Sequence, residues 1–200
     1  MRVLLADDEN MILGALSALL SLEDDIEVVA QAEDGTKAFD LACIHSPDVC
    51  VLDLHMPGKD GITVTRDLQR AVPGTRCMVL TSHAAPGYLK QALQAGARGF
   101  VPKTTSAQQL AGIIREVHLG AQYVDPGMAA DALSSGDSPL TRREADILGL
   151  AADGAPICEI AQRAALRPGT VRNYLSDIMG KLNVANRHEA VHVARRFGWI

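Results

Sequence analysis

Aromatic side chains are scarce: Trp, Tyr and Phe together make up 4% of the 200 residues. Aliphatic side chains must therefore build the core, and a hydrophobic fraction of 48% is enough for a globular chain. Long apolar runs are missing too. None approaches the roughly eighteen residues that a membrane-crossing helix needs. The opening stretch, Met1-Arg-Val-Leu-Leu-Ala-Asp-Asp-Glu-Asn10, puts acids where a secretory signal would continue its apolar segment. The four cysteines, Cys43, Cys50, Cys77 and Cys158, form no CxxC pair, which argues against a thiolate metal site and for thiols packed in a reducing compartment. No glycine-rich fingerprint follows the first strand, which disfavours a dinucleotide-binding fold. These absences predict a cytoplasmic protein with no direct membrane insertion.

Charge is unevenly spread. The chain carries 19 basic and 24 acidic side chains, a net charge of −5. Residues 1–130 hold 10 basic and 16 acidic groups, whereas residues 138–200 hold 9 and 6. A basic C-terminal part permits nucleic-acid binding where the whole-chain sign does not. Between the two parts, Asp125-Pro-Gly127 reads as a stop, and Ser134-Ser-Gly-Asp-Ser-Pro139 reads as a polar, breaker-rich linker.

The first part alternates short apolar runs with helical patterns. Strands are expected at Arg2–Ala6, Ile26–Ala30, Val49–Leu52, Cys77–Leu80 and Gly99–Val101. Helices are expected between them and after Ser106, with Asn10 and Ser106 as caps. Unbroken apolar strands separated by helices predict an α/β domain with a doubly wound, five-stranded parallel sheet. Asp7, Asp8, Asp53, Thr81 and Lys103 all fall at or just beyond C-terminal strand ends, where such sheets bind ligands. Crowded carboxylates need a compensating cation, and hard oxygen donors suit Mg2+. Thr81 and Lys103 are suited to hydrogen-bond and neutralise a phosphoryl group, and a carboxylate such as Asp53 can act as its acceptor.

These residues, with Met56-Pro-Gly-Lys-Asp-Gly61 and Gly96-Ala97, resemble the receiver domain of bacterial response regulators across residues 1–120. The resemblance implies that Asp53 is the phosphoacceptor. It implies that Asp8, Asp53 and the main-chain carbonyl of His55 bind Mg2+ directly, with Asp7 acting mainly through water. It also gives Thr81 and Lys103 the phosphoryl contacts and Phe100 the position of the switch aromatic; the residues alone read Phe100 as core. One departure is Pro102, which precedes Lys103, where relatives place a proline after that lysine, often with a cis bond. No Lys103–Thr104 cis bond is expected here.

In residues 140–200, Thr141-Arg-Arg-Glu144 fits a capping box and four short helices follow. Val171, Leu175, Ile178 and Met179 pattern as the inner face of the third, and Arg172 and Asn173 as its outer face. Leu140-Thr-x-Arg-Glu144, Glu159-Ile-Ala161, Gly169-Thr-Val-Arg172, Lys181-Leu182 and Asn186-Arg187 resemble a LuxR/NarL-type helix-turn-helix domain. By that resemblance, 168–182 is the recognition helix and the last helix is a dimer surface. Val171, Arg172 and Asn173 are then base-edge candidates, and Thr170, Lys181 and Arg187 backbone contacts. Arg167 stands where relatives often carry a capping Ser and is a further phosphate contact; Tyr174 stands where many carry His. The expected organisation is therefore a receiver domain (1–120), a connector (121–139) and a four-helix helix-turn-helix domain (140–200). Tyr123-Val-Asp-Pro126 and Arg172-Asn-Tyr-Leu175 further resemble the desaturase-controlling, membrane-fluidity regulators.

The implied function is a transcription regulator controlled by phosphorylation of Asp53. Its partners would be a histidine kinase, promoter DNA and a second copy of itself as a homodimer, with Mg2+ as cofactor. A regulator of the same fold governed by a ligand or protein partner is the alternative. An enzyme is disfavoured because Asp53-Leu-His55 lacks the second Asp of the haloacid-dehalogenase pattern.

Overall fold

The computed structural model describes residues 1–82, 86–134 and 138–200, so much of the linker read at Ser134–Pro139 lies outside the described residues. The chain forms two compact units, the larger from most of residues 1–130 and the smaller holding residues 131–200.

In the larger unit, β1 (Arg2–Ala6), β2 (Glu27–Ala32), β3 (Val49–Asp53), β4 (Arg76–Thr81), β5 (Gly99–Pro102) and β6 (Tyr123–Val124) form one sheet in the order β2-β1-β3-β4-β5-β6. Every pairing is parallel. The helices between strands are α1 (Asn10–Leu20), α2 (Gly35–His45), α3 (Gly61–Ala71) and α4 (Pro86–Gln94), and α5 (Ala107–His118) follows β5.

The apolar runs bury both faces because side chains alternate along each strand. Val3, Leu5, Val49, Val51, Met78 and Leu80 face α1 and α5, where Leu13, Leu20, Leu110, Ile114 and Val117 meet them. Leu4, Ala6, Cys50, Leu52 and Cys77 face α2 and α3, against Ala38, Ala42, Val64 and Leu68. Cys50 and Cys77 are directly paired across β3 and β4 and fully buried. The hydrogen bond with Cys77, together with burial, raises the Cys50 thiol pKa well above its usual value. These two thiols are core groups as expected, but Cys43 and Cys158 are exposed, so the packed-thiol reading holds for only half of the cysteines.

Three local expectations change. Asn10 is the first helical residue of α1 rather than its cap; Glu9 holds the cap position. A sixth strand joins the sheet through Tyr123 N–H to Arg98 O (2.8 Å) and Asp125 N–H to Phe100 O (3.1 Å). Two residues are too short to show a strand pattern. Asp125-Pro-Gly127 starts a helix, α6 (Pro126–Ser134), instead of stopping one. The Asp125 carboxylate accepts from Met128 N–H at 3.1 Å, and proline suits the first helical turn.

The smaller unit packs α7 (Arg142–Ala151), α8 (Ile157–Arg163), α9 (Pro168–Leu182) and α10 (Arg187–Arg196) around Ile147, Leu148, Ile160, Val171, Ile178 and Ala190. The Thr141 capping box is present with both reciprocal bonds, as is one at Ser106 with Gln109. No helix among the described residues is long and apolar enough to cross a membrane.

Candidate functional site

The order β2-β1-β3-β4-β5 places a topological switch between β1 and β3, and the polar residues gather there. Asp7 follows β1, Asp53 ends β3, Thr81 ends β4 and Lys103 follows β5. Asp53 pairs in register with Leu80, and Thr81 with Pro102. Lys103 N–H donates to Thr81 O at 2.9 Å, so the chain beyond Pro102 stays fastened to β4. The Lys103–Thr104 bond is trans.

Lys103 reaches the centre despite the preceding proline. Its Nζ donates to Asp7 Oδ1 at 3.0 Å and lies 3.2 Å from Asp53 Oδ1 and 3.3 Å from Glu9 Oε1. It also lies 2.8 Å from Asp7 Oδ2, yet that oxygen is buried with no hydrogen bond of its own: the ion pair is close but misaligned. Asp7 Oδ1 accepts a second bond, from Glu9 N–H at 2.9 Å. Glu9 was absent from the sequence-predicted set. Its adjacency to Asp7-Asp8 was the available signal.

Asp7 and Asp53 are buried, Asp8 is exposed, and one oxygen from each lies within 4.8 Å of the others. Burial raises the Asp53 pKa, and Asp7 and Asp8 add to this; Lys103 opposes but does not cancel it, because its ammonium is shared. For Lys103 burial acts downward, but the Asp7 hydrogen bond and Asp53 charge prevail and raise its pKa to about 12. One cation among Asp7, Asp8, Asp53 and Glu9 leaves an excess of negative charge. Hard carboxylate donors, an orphaned buried oxygen and that excess fit a small divalent cation such as Mg2+. His55 follows β3 with an exposed side chain, and Thr81 is fully buried. Phe100 is also fully buried, so any switching role works through repacking of the core rather than through an exposed ring.

In the smaller unit, α9 exposes Arg172 and Asn173 on one side, with Thr170 exposed at the far margin of that surface. Ser176, one turn beyond Arg172, shares that face and was overlooked; the i, i+4 spacing signals it. Arg167 caps α9 without a side-chain hydrogen bond, as expected for arginine, and is exposed. Val171 does not belong to the outer face: it is fully buried in the helical core. Lys181 and Arg187 are already engaged. Lys181 Nζ donates to both Glu144 oxygens at 2.8 and 2.7 Å, where Glu144 is buried and closes the capping box. That bond lowers the Glu144 pKa. Arg187 donates to Ala155 O at 3.0 Å, bonding the carbonyls that follow α7. Both side chains therefore brace the fold.

Comparison with known proteins agrees with this division. Residues 3–115 match the model of the response regulator receiver domain, and residues 138–194 that of the bacterial regulatory proteins of the luxR family. The transcriptional regulatory protein DesR of Bacillus subtilis is 42% identical over 197 residues, covering 98% of each chain. The response regulator ChrA of a heme-sensing two-component system superimposes with a TM-score of 0.60 at 32% identity, covering 100% of this chain and 98% of that one. The response regulator RcsB in its DNA complex gives 0.67 at 27% identity, covering 100% and 96%. A receiver fold with an acidic crevice and a LuxR-type helical unit thus occur in one chain over the full length of its relatives, and the chain belongs to the two-component response regulators of the NarL/LuxR type, DNA-binding transcription regulators controlled by phosphorylation.

Proposed function

We propose that Asp53 is the phosphoacceptor of this regulator and that α9 is its DNA-reading helix. The observation that carries the reading is the convergence of Asp7, Asp8, Asp53 and Lys103 beyond the strand ends of one sheet. A partner kinase's phosphohistidine is the donor. An Asp53 carboxylate oxygen bonds to phosphorus as the phosphorus–nitrogen bond breaks, and the imidazole leaves. Asp8, Asp53 and the His55 carbonyl would hold Mg2+, with Asp7 acting through water. The bound cation supplies positive charge that offsets repulsion between the carboxylates and the incoming phosphoryl oxygens.

Lys103 moves its ammonium from the carboxylates to the phosphoryl oxygens, and Thr81 donates its hydroxyl to one of them. These contacts bias two packings of the β4–β5 region, with Phe100 inside it. Residues 1–120 act as the receiver, 121–139 as connector and 140–200 as the DNA-binding domain. The response is dimerisation, with two α9 helices presented to promoter half-sites through Arg172, Asn173, Thr170 and Arg167. The activity belongs in the cytoplasm, and the chain turns over no small-molecule substrate of its own.

Intact mass after incubation with acetyl phosphate and Mg2+ tests this. One hydroxylamine-labile phosphoryl adduct on the native protein and none on Asp53→Ala is the expected result. No adduct, under conditions that modify a control receiver, overturns it and favours control by a ligand or protein partner.

A further inference from the structure

The loop after Asp53, residues 54–60, is held by contacts that lie away from the carboxylates. Its base is pinned to the sheet: Leu54 N–H donates to Leu80 O at 2.9 Å and Gly61 N–H to Leu54 O at 3.1 Å. A Cβ on Gly61 would sit 2.3 Å from Asp53 O, so the chain passes too close for any side chain. Its middle rests on the start of α2. Gly35 N–H donates to Pro57 O at 3.1 Å, and a Cβ on Gly35 would lie 1.8 Å from Lys59 O.

Lys59 completes this arrangement with its side chain. Its Nζ donates to Asp67 Oδ2 on α3 at 2.7 Å and lies 4.3 Å from the centroid of the Phe39 ring on α2. Both ends of the ion pair are one-third exposed. One lysine therefore ties the loop to two helices, where a solvated surface lysine would touch neither.

We propose that Lys59, with Phe39 and Asp67, is a positioning latch that presets the loop and, with it, the His55 main-chain oxygen for metal binding. The proposal rests on the metal-site reading above. A carboxylate ligand can be brought to a cation by side-chain rotation. A main-chain carbonyl cannot; only the conformation of its loop places it. An unlatched loop would populate the binding conformation for a fraction of the time, and the apparent affinity falls by that fraction. An ion pair and a cation–π contact at this exposure are each modest, and together correspond to roughly a three- to tenfold effect on affinity.

Lys59→Met in the full chain removes both contacts, and calorimetric titration with Mg2+ reads the result without any phosphodonor. The latch predicts an apparent Kd weaker by roughly three- to tenfold, little change in Tm in EDTA, and recovery in Lys59→Arg. Simple charge arithmetic predicts the opposite sign, because removing a positive charge near an acidic site tightens cation binding. Unchanged or tighter binding by Lys59→Met overturns the latch, and so does a weakening matched by a large fall in Tm in EDTA. If the native protein binds no Mg2+, or Asp8→Asn binds it as well as the native protein, the metal-site reading fails as well.

Discussion

Lys103→Met will destabilise the receiver by about 3 kcal/mol in the absence of divalent ions, as expected when one partner of a buried ion pair is removed. The reason is local. Lys103 is the only cation contacting Asp7, Asp53 and Glu9 among the described interactions, and its side chain is 9% exposed. Without it, two buried carboxylates face each other uncompensated. Thermal denaturation in EDTA should show Tm falling by roughly 10 °C.

Added Mg2+ should restore more stability to Lys103→Met than it adds to the native protein, because the cation then meets a greater excess of negative charge. The pH dependence has a definite sign. The Lys103 pKa is raised from 10.5 to about 12, so its contribution is complete below 10.5 and is lost as pH rises through 12. The native advantage over Lys103→Met should therefore vanish over that alkaline window. Asp53, whose pKa is raised above 3.8, works the other way: the folded state holds its proton more tightly. Its burial therefore costs stability as pH rises above 3.8, and this cost disappears on acidification. Equal stability of native and Lys103→Met proteins at neutral pH in EDTA would show that Lys103 is not the counter-ion of the cluster.

The second large effect belongs to α9. Arg172→Ala should weaken binding to a duplex selected from a random library by roughly ten- to a hundredfold, the value of one good bidentate base contact. Arg172 is exposed on the same face as Asn173 and Ser176, while Val171, Leu175 and Ile178 on the opposite side are buried. Truncating an exposed side chain leaves that core intact, so the denaturation midpoint should not move. Fluorescence anisotropy at two salt concentrations separates base reading from phosphate contact. Loss of discrimination between selected and scrambled duplexes marks the former; a uniform loss with a reduced salt slope marks the latter. Unchanged affinity would remove Arg172 from the interface.

Much of this was legible because it is encoded locally. Strand ends are marked where apolar runs meet Asp7, Asp53 and Thr81, and the cap at Ser106 and the capping box at Thr141 are each contained in a few neighbouring residues. What escaped depends on distant partners. Charge on a helix does not say which partner Lys181 meets; Glu144, 37 positions earlier, is that partner, while the lysine stays exposed. Arg187 is likewise committed by Ala155, 32 positions away. Val171 was read as both a packing and a base-reading residue, and burial resolves it as packing. The Lys59 contacts join α2, the loop and α3, three segments whose adjacency exists only in the folded chain. Left-handed backbone at Ala165, in the turn before α9, carries no sequence signal because alanine does not favour it.

The most direct test of phosphorylation-controlled DNA binding compares native and Asp53→Ala proteins on one selected duplex, each with and without acetyl phosphate and Mg2+. Coupling of ordinary size between the two units should tighten the native protein's binding about tenfold and leave Asp53→Ala unchanged. Equal affinities for phosphorylated and unphosphorylated native protein, or an equal gain in Asp53→Ala, would contradict the account.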